Sequence, residues 1–427
     1  MRLTSRTARA AVVVAGTALT LAACGSSSPS TTSPSTTTTT GSSGGGSGST
    51  SPLIIGTLLP QTGDLAFLGP PEFAGVGLAI KDINKAGGVL GKPVQEKKAD
   101  SGDGTPNIAP GNTTDLLDAG SQVIVGAASS SVSLSVIDQI TGAGVVQISP
   151  ANTSTAFDTY NDHGLYFRTA PSDVLQGAVM ANLIASDGHS NIAILARQDS
   201  YGEALATQVD KVFTQNGGTV VQKVLYQADA ATFGSEVQKI ASSHPDAILA
   251  ISFDEIKKII PQMIQDGIGP KNVQIYFTDG DTADYSKDFP KGTLTGVRAT
   301  YPGAELTNDF KQRLLTQDPS LTSFTYGPES YDAVVLAALA ADAAGSTKGT
   351  DISKNLQAVS EGGTKCTDYA TCAQMIKAGK DINYEGVSGP IDFNSTGSPS
   401  AATIGIFQYA ADNNFHNVKY VTGQIAQ

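Results

Sequence analysis

Residues 191–226 read NIAILARQDSYGEALATQVDKVFTQNGGTVVQKVLY. An unbroken apolar run, Ile192–Ala196, is followed by the polar turn Asp199-Ser200-Tyr201-Gly202. A segment of helical period over Tyr201–Gln215 closes at Gly217-Gly218, and a second β-rich run spans Thr219–Tyr226. Apolar runs of this kind belong to strands buried on both faces, and a helix between two of them makes a parallel βαβ unit. The cycle continues with a helix over Phe233–Ser242, a strand over Ala247–Ser252, a helix over Asp254–Gln265 and a strand over Val273–Phe277.

The same alternation appears earlier in the chain. Leu53–Leu59 reads as a buried strand, and Glu72–Ala86 places Phe73, Val76, Ile80 and Ile83 on one helical face before Gly87-Gly88 stops it. Val123–Ala127 is the next strand, Ser129–Ser131 stand at a helix N-cap, Val132–Thr141 is the helix and Val145–Ser149 a further strand. Two series, before and after about residue 170, predict an α/β protein of two lobes, with the apolar helix Ser330–Ala344 returning to one lobe's core.

Composition narrows the function. With 39 Asp and Glu against 27 Lys and Arg, the net charge is −12 and there is no basic run. Nucleic acid, bound by neutralising phosphates, is excluded as a partner. The three cysteines permit neither a disulfide scaffold nor a Cys₄ zinc site, and His163, His189, His244 and His416 have no metal-ligand spacing. No cofactor or metal is expected.

The first fifty residues read as an address and a tether. Arg2, Arg6 and Arg9 precede an apolar run, Ala10–Ala23, which is too short for a comfortable span and has the form of a secretory signal. Leu21-Ala22-Ala23-Cys24 resembles the bacterial lipobox, which implies removal of residues 1–23 and lipidation of Cys24. Residues 25–51 are only Ser, Thr, Gly and Pro, a flexible coil with a reach of about 30 Å. Cys366 and Cys372 are expected to close a local disulfide under oxidising conditions, pinning a surface loop.

In open α/β sheets, ligands sit beyond the carboxyl ends of strands. The loops there are Ser129-Ser130-Ser131, Pro150-Ala151-Asn152-Thr153-Ser154, Asp199–Gly202 and Thr278-Asp279-Gly280-Asp281. The first offers hydroxyls and helix N–H groups to a small anion or acts as an ordinary cap, and the last can hold a cation. No Gly-x-Ser-x-Gly elbow, phosphate loop, His-Glu-x-x-His or Gly-x-Gly-x-x-Gly stands in the required context. The expectation is therefore a protein that is not an enzyme.

The segment Ile54-Ile55-Gly56-Thr57-Leu58-Leu59-Pro60-Gln61-Thr62-Gly63, with Gly69 and Asp82-Ile83-Asn84-Lys85-Ala86-Gly87-Gly88, resembles the opening of the branched-chain amino-acid-binding proteins. The similarity continues through Val125–Ser130, Val146–Ala151, Asp199–Glu203 and Ser388–Phe393, and covers nearly all of residues 53–427. It implies the type I periplasmic-binding fold, two Rossmann-like lobes joined by three crossover strands with the ligand in the cleft between them. The lobes would comprise residues 52–171 with 303–389, and 172–302 with 390–427. By the same resemblance Ser130 and Thr153 take the α-carboxylate of an amino acid, the Ala151 carbonyl and Asp279 take its ammonium, and Tyr201 closes from the second lobe. Phe253 completes the set of candidate ligand-binding residues, although the Gly-rich turn with a Tyr usual near Phe253-Asp254-Glu255 is missing and Asp279 stands where amino-acid binders often have Glu.

The expected function is an extracytoplasmic, lipid-anchored solute-binding protein. It would bind an amino acid of the branched-chain type, or a related small polar solute, and pass it to an ABC permease. A monomer is expected. The alternatives are a ligand sensor of the same fold acting on a signalling partner, and an exported α/β hydrolase using Ser130.

Overall fold

The structure, a computed structural model, describes residues 51–425. Cys24, the signal and the tether up to residue 50 lie outside the described residues.

The first lobe begins with β1 (Ile54–Leu59), α1 (Gly69–Lys85), β2 (Gln95–Asp100), α2 (Ala109–Asp118), β3 (Val123–Gly126), α3 (Ser130–Gly142), β4 (Val146–Ser149) and β5 (Tyr166–Arg168). Its sheet is parallel throughout, in the order β2-β1-β3-β4-β5. The chain then crosses to the second lobe. There follow α4 (Asp173–Ser186), β6 (Asn191–Arg197), α5 (Ser200–Gln215), β7 (Thr219–Tyr226), α6 (Gly234–Ser242), β8 (Ala247–Ile251), α7 (Ile256–Gln265), β9 (Gln274–Phe277) and β10 (Arg298–Pro302).

A second crossing returns the chain to the first lobe as α8 (Asn308–Leu315), α9 (Gly327–Ala344), α10 (Gly349–Ser360), β11 (Thr364–Cys366), α11 (Tyr369–Lys377) and β12 (Ile382–Tyr384). After the third crossing, β13 (Ala401–Tyr409) and β14 (Phe415–Gln424) complete a second sheet in the order β14-β13-β10-β9-β8-β6-β7. In that sheet β6 to β10 pair in parallel, while β13 and β14 join antiparallel at one side.

The apolar character of α9 decides its place. Every residue from Gly327 to Ala341 is buried, and Ala333–Ala341 run through the core shared with β1, β3, β4 and α1. A helix apolar on all sides has no face to give to water. Its close approach to α1 requires Gly75, where a Cβ would stand 2.1 Å from the Gly327 carbonyl oxygen. Asp332, on the same helix, accepts from Tyr384 Oη, Ser388 Oγ and the backbone N–H groups of Val387 and Ser388, and so fastens the segment after β12.

Two sequence expectations change here. Residues 390–400, assigned above to the second lobe, belong with the first: Ile391 and Phe393 are buried in its core, and the Arg168 N–H donates to the Gly397 carbonyl. Apolar side chains, rather than position after the last helix, decide which lobe holds a crossing segment. Cys366 and Cys372 are joined by a disulfide with their Cα atoms 5.5 Å apart. Both are buried in the first lobe's core, where they tie β11 to α11, instead of lying on a surface loop. No helix among the described residues is long and apolar enough to cross a membrane.

Candidate functional site

In each sheet the strand order reverses direction once: between β1 and β3 in the first lobe, and between β6 and β8 in the second. Such switch points leave a crevice at the carboxyl ends of the strands, because the flanking helices depart to opposite faces. The two crevices face one another. Between them lies a narrow cavity lined from the first lobe by Leu65 and Leu68 after β1, Ala128–Ser130 after β3, Ala151 after β4, and Tyr326. The second lobe contributes Tyr201 after β6, Phe253 after β8 and Asp279-Gly280 after β9.

The first-lobe end is built from backbone and hydroxyls. Ser129 is the N-cap of α3 in extended conformation, but its Oγ pairs with Ser131 Oγ at 2.9 Å and makes no cap bond to the backbone. The first N–H groups of a helix have no partner within it, so this end is rich in donors. Ser133 Oγ accepts from the Ala127 N–H at 2.9 Å, while Ser149 Oγ and Asn152 Nδ2 donate to the Ala127 carbonyl at 2.7 and 3.1 Å. Tyr166 Oη holds the Asn152 amide in turn at 2.9 Å. This buried mesh fixes the two loops that present Ser130 and Ala151.

The second-lobe end is charged. Asp279 is buried, and its carboxylate accepts from Tyr201 Oη (2.8 Å) and Gln176 Nε2 (2.9 Å) on one oxygen and from Tyr326 Oη (2.9 Å) on the other. Burial raises its pKa, and the three donors work against that rise. A carboxylate has about four lone-pair sites, so one acceptor position remains for a ligand. Gly280 is obligatory beside it, since a Cβ would lie 2.6 Å from the Ser252 carbonyl oxygen.

Tyr201 stacks on Phe253 with ring centroids 5.5 Å apart. The Arg197 guanidinium covers the Phe253 ring at 3.4 Å and pairs with Glu255 at 3.0 Å. The apolar wall is thereby held flat by a cation that does not itself line the cavity.

Ser130, Ala151, Tyr201, Phe253 and Asp279 thus converge on one cavity. Thr153 does not line it: it is fully buried behind the cavity, and its carbonyl accepts from the Asp173 N–H at 2.7 Å. None of the four histidines lines the cavity. Asp281, read above with Asp279 as a possible cation site, is already engaged by the Thr278 N–H and by Ser252 Oγ. No group of three or more metal-ligating side chains occurs among the described residues.

Sequence reasoning missed Tyr326, which lines the cavity, and Gln176, which bonds Asp279. Tyr326 precedes Gly327-Pro328 at the start of α9, with φ 59°, a left-handed conformation that costs a bulky residue on the order of 1–3 kcal/mol and clusters at ligand sites. Gln176 and Asp173 share the first turn of α4, where Ser172 is the N-cap. The only available signal was the run Pro171-Ser172-Asp173, a helix start directly after a crossing.

The two lobes are already in contact across this cavity, through Tyr326 to Asp279 and through Ser154 Oγ to the Ser200 carbonyl at 2.7 Å. The arrangement is that of a closed clamp. A family model described as periplasmic binding protein matches residues 52–413. The chain is a member of the periplasmic binding protein family.

Relatives of this periplasmic binding protein bear out its resemblance to the branched-chain amino-acid-binding proteins. It is 28% identical over 361 residues to the chemotactic signal transduction system substrate-binding protein BasB of Halobacterium salinarum, covering 82% of this chain and 85% of that protein. It is 23% identical to Leu/Ile/Val-binding protein homolog 3 of Brucella melitensis, covering 84% and 91%. Among solved structures, the leucine-binding protein LivK of Thermotoga maritima superposes with a TM-score of 0.72 at 19% identity, over 86% of this chain and 98% of that one. A benzoate-bound solute-binding protein of an ABC transporter from R. palustris gives 0.68 at 18% identity, over 88% and 98%. These two likenesses establish the two-lobed fold.

Proposed function

We propose that this protein is the extracytoplasmic receptor of an ABC importer, anchored through a lipidated Cys24 and binding an amino acid or related small polar solute between its lobes. The observation that supports this reading is the polarity of the cavity. Hydroxyls and helix N–H groups stand at one end, a carboxylate at the other, and Leu65, Leu68 and Phe253 form apolar walls between them. A zwitterion with an aliphatic side chain matches all three. Ser130 would take the α-carboxylate, while the Ala151 carbonyl and Asp279 would take the ammonium. Closure brings Tyr326 of the first lobe onto Asp279, where Tyr201 of the second lobe is already bonded, so binding and lobe closure are one event.

A thermal-shift screen of the purified protein against amino acids, small amides and aromatic acids tests this. A ligand at 100 times its Kd adds about 2.7 kcal/mol, which moves the midpoint by several degrees. Absence of a shift from every α-amino acid would sink the amino-acid assignment. A second reading, a sensor delivering its closed form to a signalling partner, draws on the similarity to BasB. Co-purification with a permease and ATPase favours import, and co-purification with a transducer favours sensing.

A further inference from the structure

Two loops of the second lobe bring aromatic rings to the cavity, Tyr201 after β6 and Phe253 after β8, and one buried cation is bonded within both loops. Arg197 ends β6 and is 4% exposed. Its Nε donates to Asp199 at 2.5 Å and its Nη1 to Glu255 at 3.0 Å. Asp199 is the N-cap of α5, and its other oxygen accepts from the N–H groups of Tyr201 (3.1 Å) and Gly202 (2.9 Å). Glu255, two residues past Phe253, is buried, and the oxygen that Arg197 reaches also accepts from Tyr226 Oη at 2.9 Å.

The fit around this cation is close. The guanidinium lies 3.4 Å from the centre of the Phe253 ring. A Cβ at Gly202 would stand 2.2 Å from the Arg197 carbonyl oxygen, and one at Gly280 would stand 2.7 Å from Phe253 Cδ1. Tyr201 stacks on Phe253, and its hydroxyl is tied to Asp279 and to the Gly280 N–H. Neither ring has room to turn aside for a larger solute.

Stability does not account for such an arrangement, because the desolvation of a buried cation and two acids offsets most of their attraction. Geometry does. The planar guanidinium has donors in a fixed fork and a face that stacks on aromatic rings, so one side chain can hold the Asp199 cap, Glu255 and the Phe253 ring together. We infer that Arg197, which does not line the cavity, is a positioning residue that fixes the Tyr201–Phe253 wall, so that the site sorts solutes by side-chain size. The inference rests on the amino-acid reading of the cavity and deepens it. A yielding wall would follow the solute and bind homologues about equally, whereas a fixed wall penalises each missing or surplus methylene by roughly tenfold or more.

The test is titration calorimetry of glycine, L-alanine, L-valine and L-leucine with wild type and Arg197→Lys. Wild type is expected to favour one of the four over its neighbours in the series by roughly tenfold or more. Lysine keeps the charge but has neither the fork nor the stacking face, so Arg197→Lys should reduce that preference to about threefold or less. An unchanged preference in Arg197→Lys would overturn the inference. Weakening of all four by one common factor would also overturn it, by leaving Arg197 a structural role alone. Equal binding of the four by wild type would remove the inference and leave the amino-acid receptor standing, whereas binding of none would remove both. If Arg197→Lys does not fold, Glu255→Ala, which releases the guanidinium from the Phe253 loop, gives the same readout, and a preference as sharp as wild type there would sink the inference.

Discussion

Asp279 and Glu72 are both buried carboxyls close to the cavity, and the fold treats them in opposite ways. Asp279, on the second lobe, lines the cavity and accepts from Tyr201, Gln176 and Tyr326. Glu72, on the first lobe and one helical turn past Leu68, accepts from nothing; both of its oxygens are buried without a partner. Burial and the neighbouring Glu329 hold its carboxyl well above the ordinary range, and burial pushes Glu329 up to about 8. Donors make a buried carboxyl useful as an anion, whereas a buried carboxyl without donors stays neutral and resists ionisation. In the proposed site the recognition charge therefore comes from one lobe. The other lobe lines the cavity with hydroxyls and backbone, and its Glu72 and Glu329 resist ionisation.

The difference can be broken most directly at Asp279. Asp279→Ala should weaken amino-acid binding at least about a hundredfold, because it removes the counter-charge and strands three buried donors. Calorimetry showing unchanged affinity would take Asp279 out of the site. The next effect belongs to the silent acids. Glu329 has a folded pKa near 8 against an ordinary 4.5, so its contribution to stability is complete below about 4.5 and is lost as pH rises toward 8. Denaturant melts should show stability falling by roughly 2–4 kcal/mol from pH 5 to pH 8, with Glu329→Gln flattening that slope. A wild-type profile that rises across this window would contradict the neutral state of the pair.

Smaller effects sharpen the comparison. Tyr326→Phe deletes the one side-chain bond that joins the first lobe to Asp279, and should cost about 1.5–3 kcal/mol in ligand affinity. Solution scattering with saturating ligand should then show a larger open fraction; full closure would mean that the bond is dispensable. Ser130→Ala, at the hydroxyl end, should cost only about 1 kcal/mol, since the helix N–H groups remain. A loss as large as that of Asp279→Ala would show that both ends carry charge recognition equally.

The alternation of strands and helices was legible because parallel strands are buried on both faces and appear as continuous apolar runs. β6, β7, β8 and β9 begin and end within a residue of the expected limits. β2 escaped notice because Gln95–Asp100 reads QEKKAD: it is the outermost strand of its sheet, has no fully buried residue, and carries no apolar period. Helix α1 starts at Gly69 rather than Glu72 because Pro70 and Pro71 occupy its first turn, where a missing N–H costs nothing.

By itself the sequence determined the βαβ architecture, the strand-end loops and, through those loops, Ser130, Ala151, Tyr201 and Asp279 around the cavity, with Phe253 added by the family resemblance. That information is local: a strand end and a helix start are written in consecutive residues. Only the tertiary structure brought in Tyr326 and Gln176, and moved residues 390–400 into the first lobe. Gln176 meets Asp279 across 103 residues of chain, and Tyr326 meets it across 47. A hydrogen bond depends on distances of a few tenths of an ångström between side chains far apart in sequence, and no periodicity along the chain encodes such a distance.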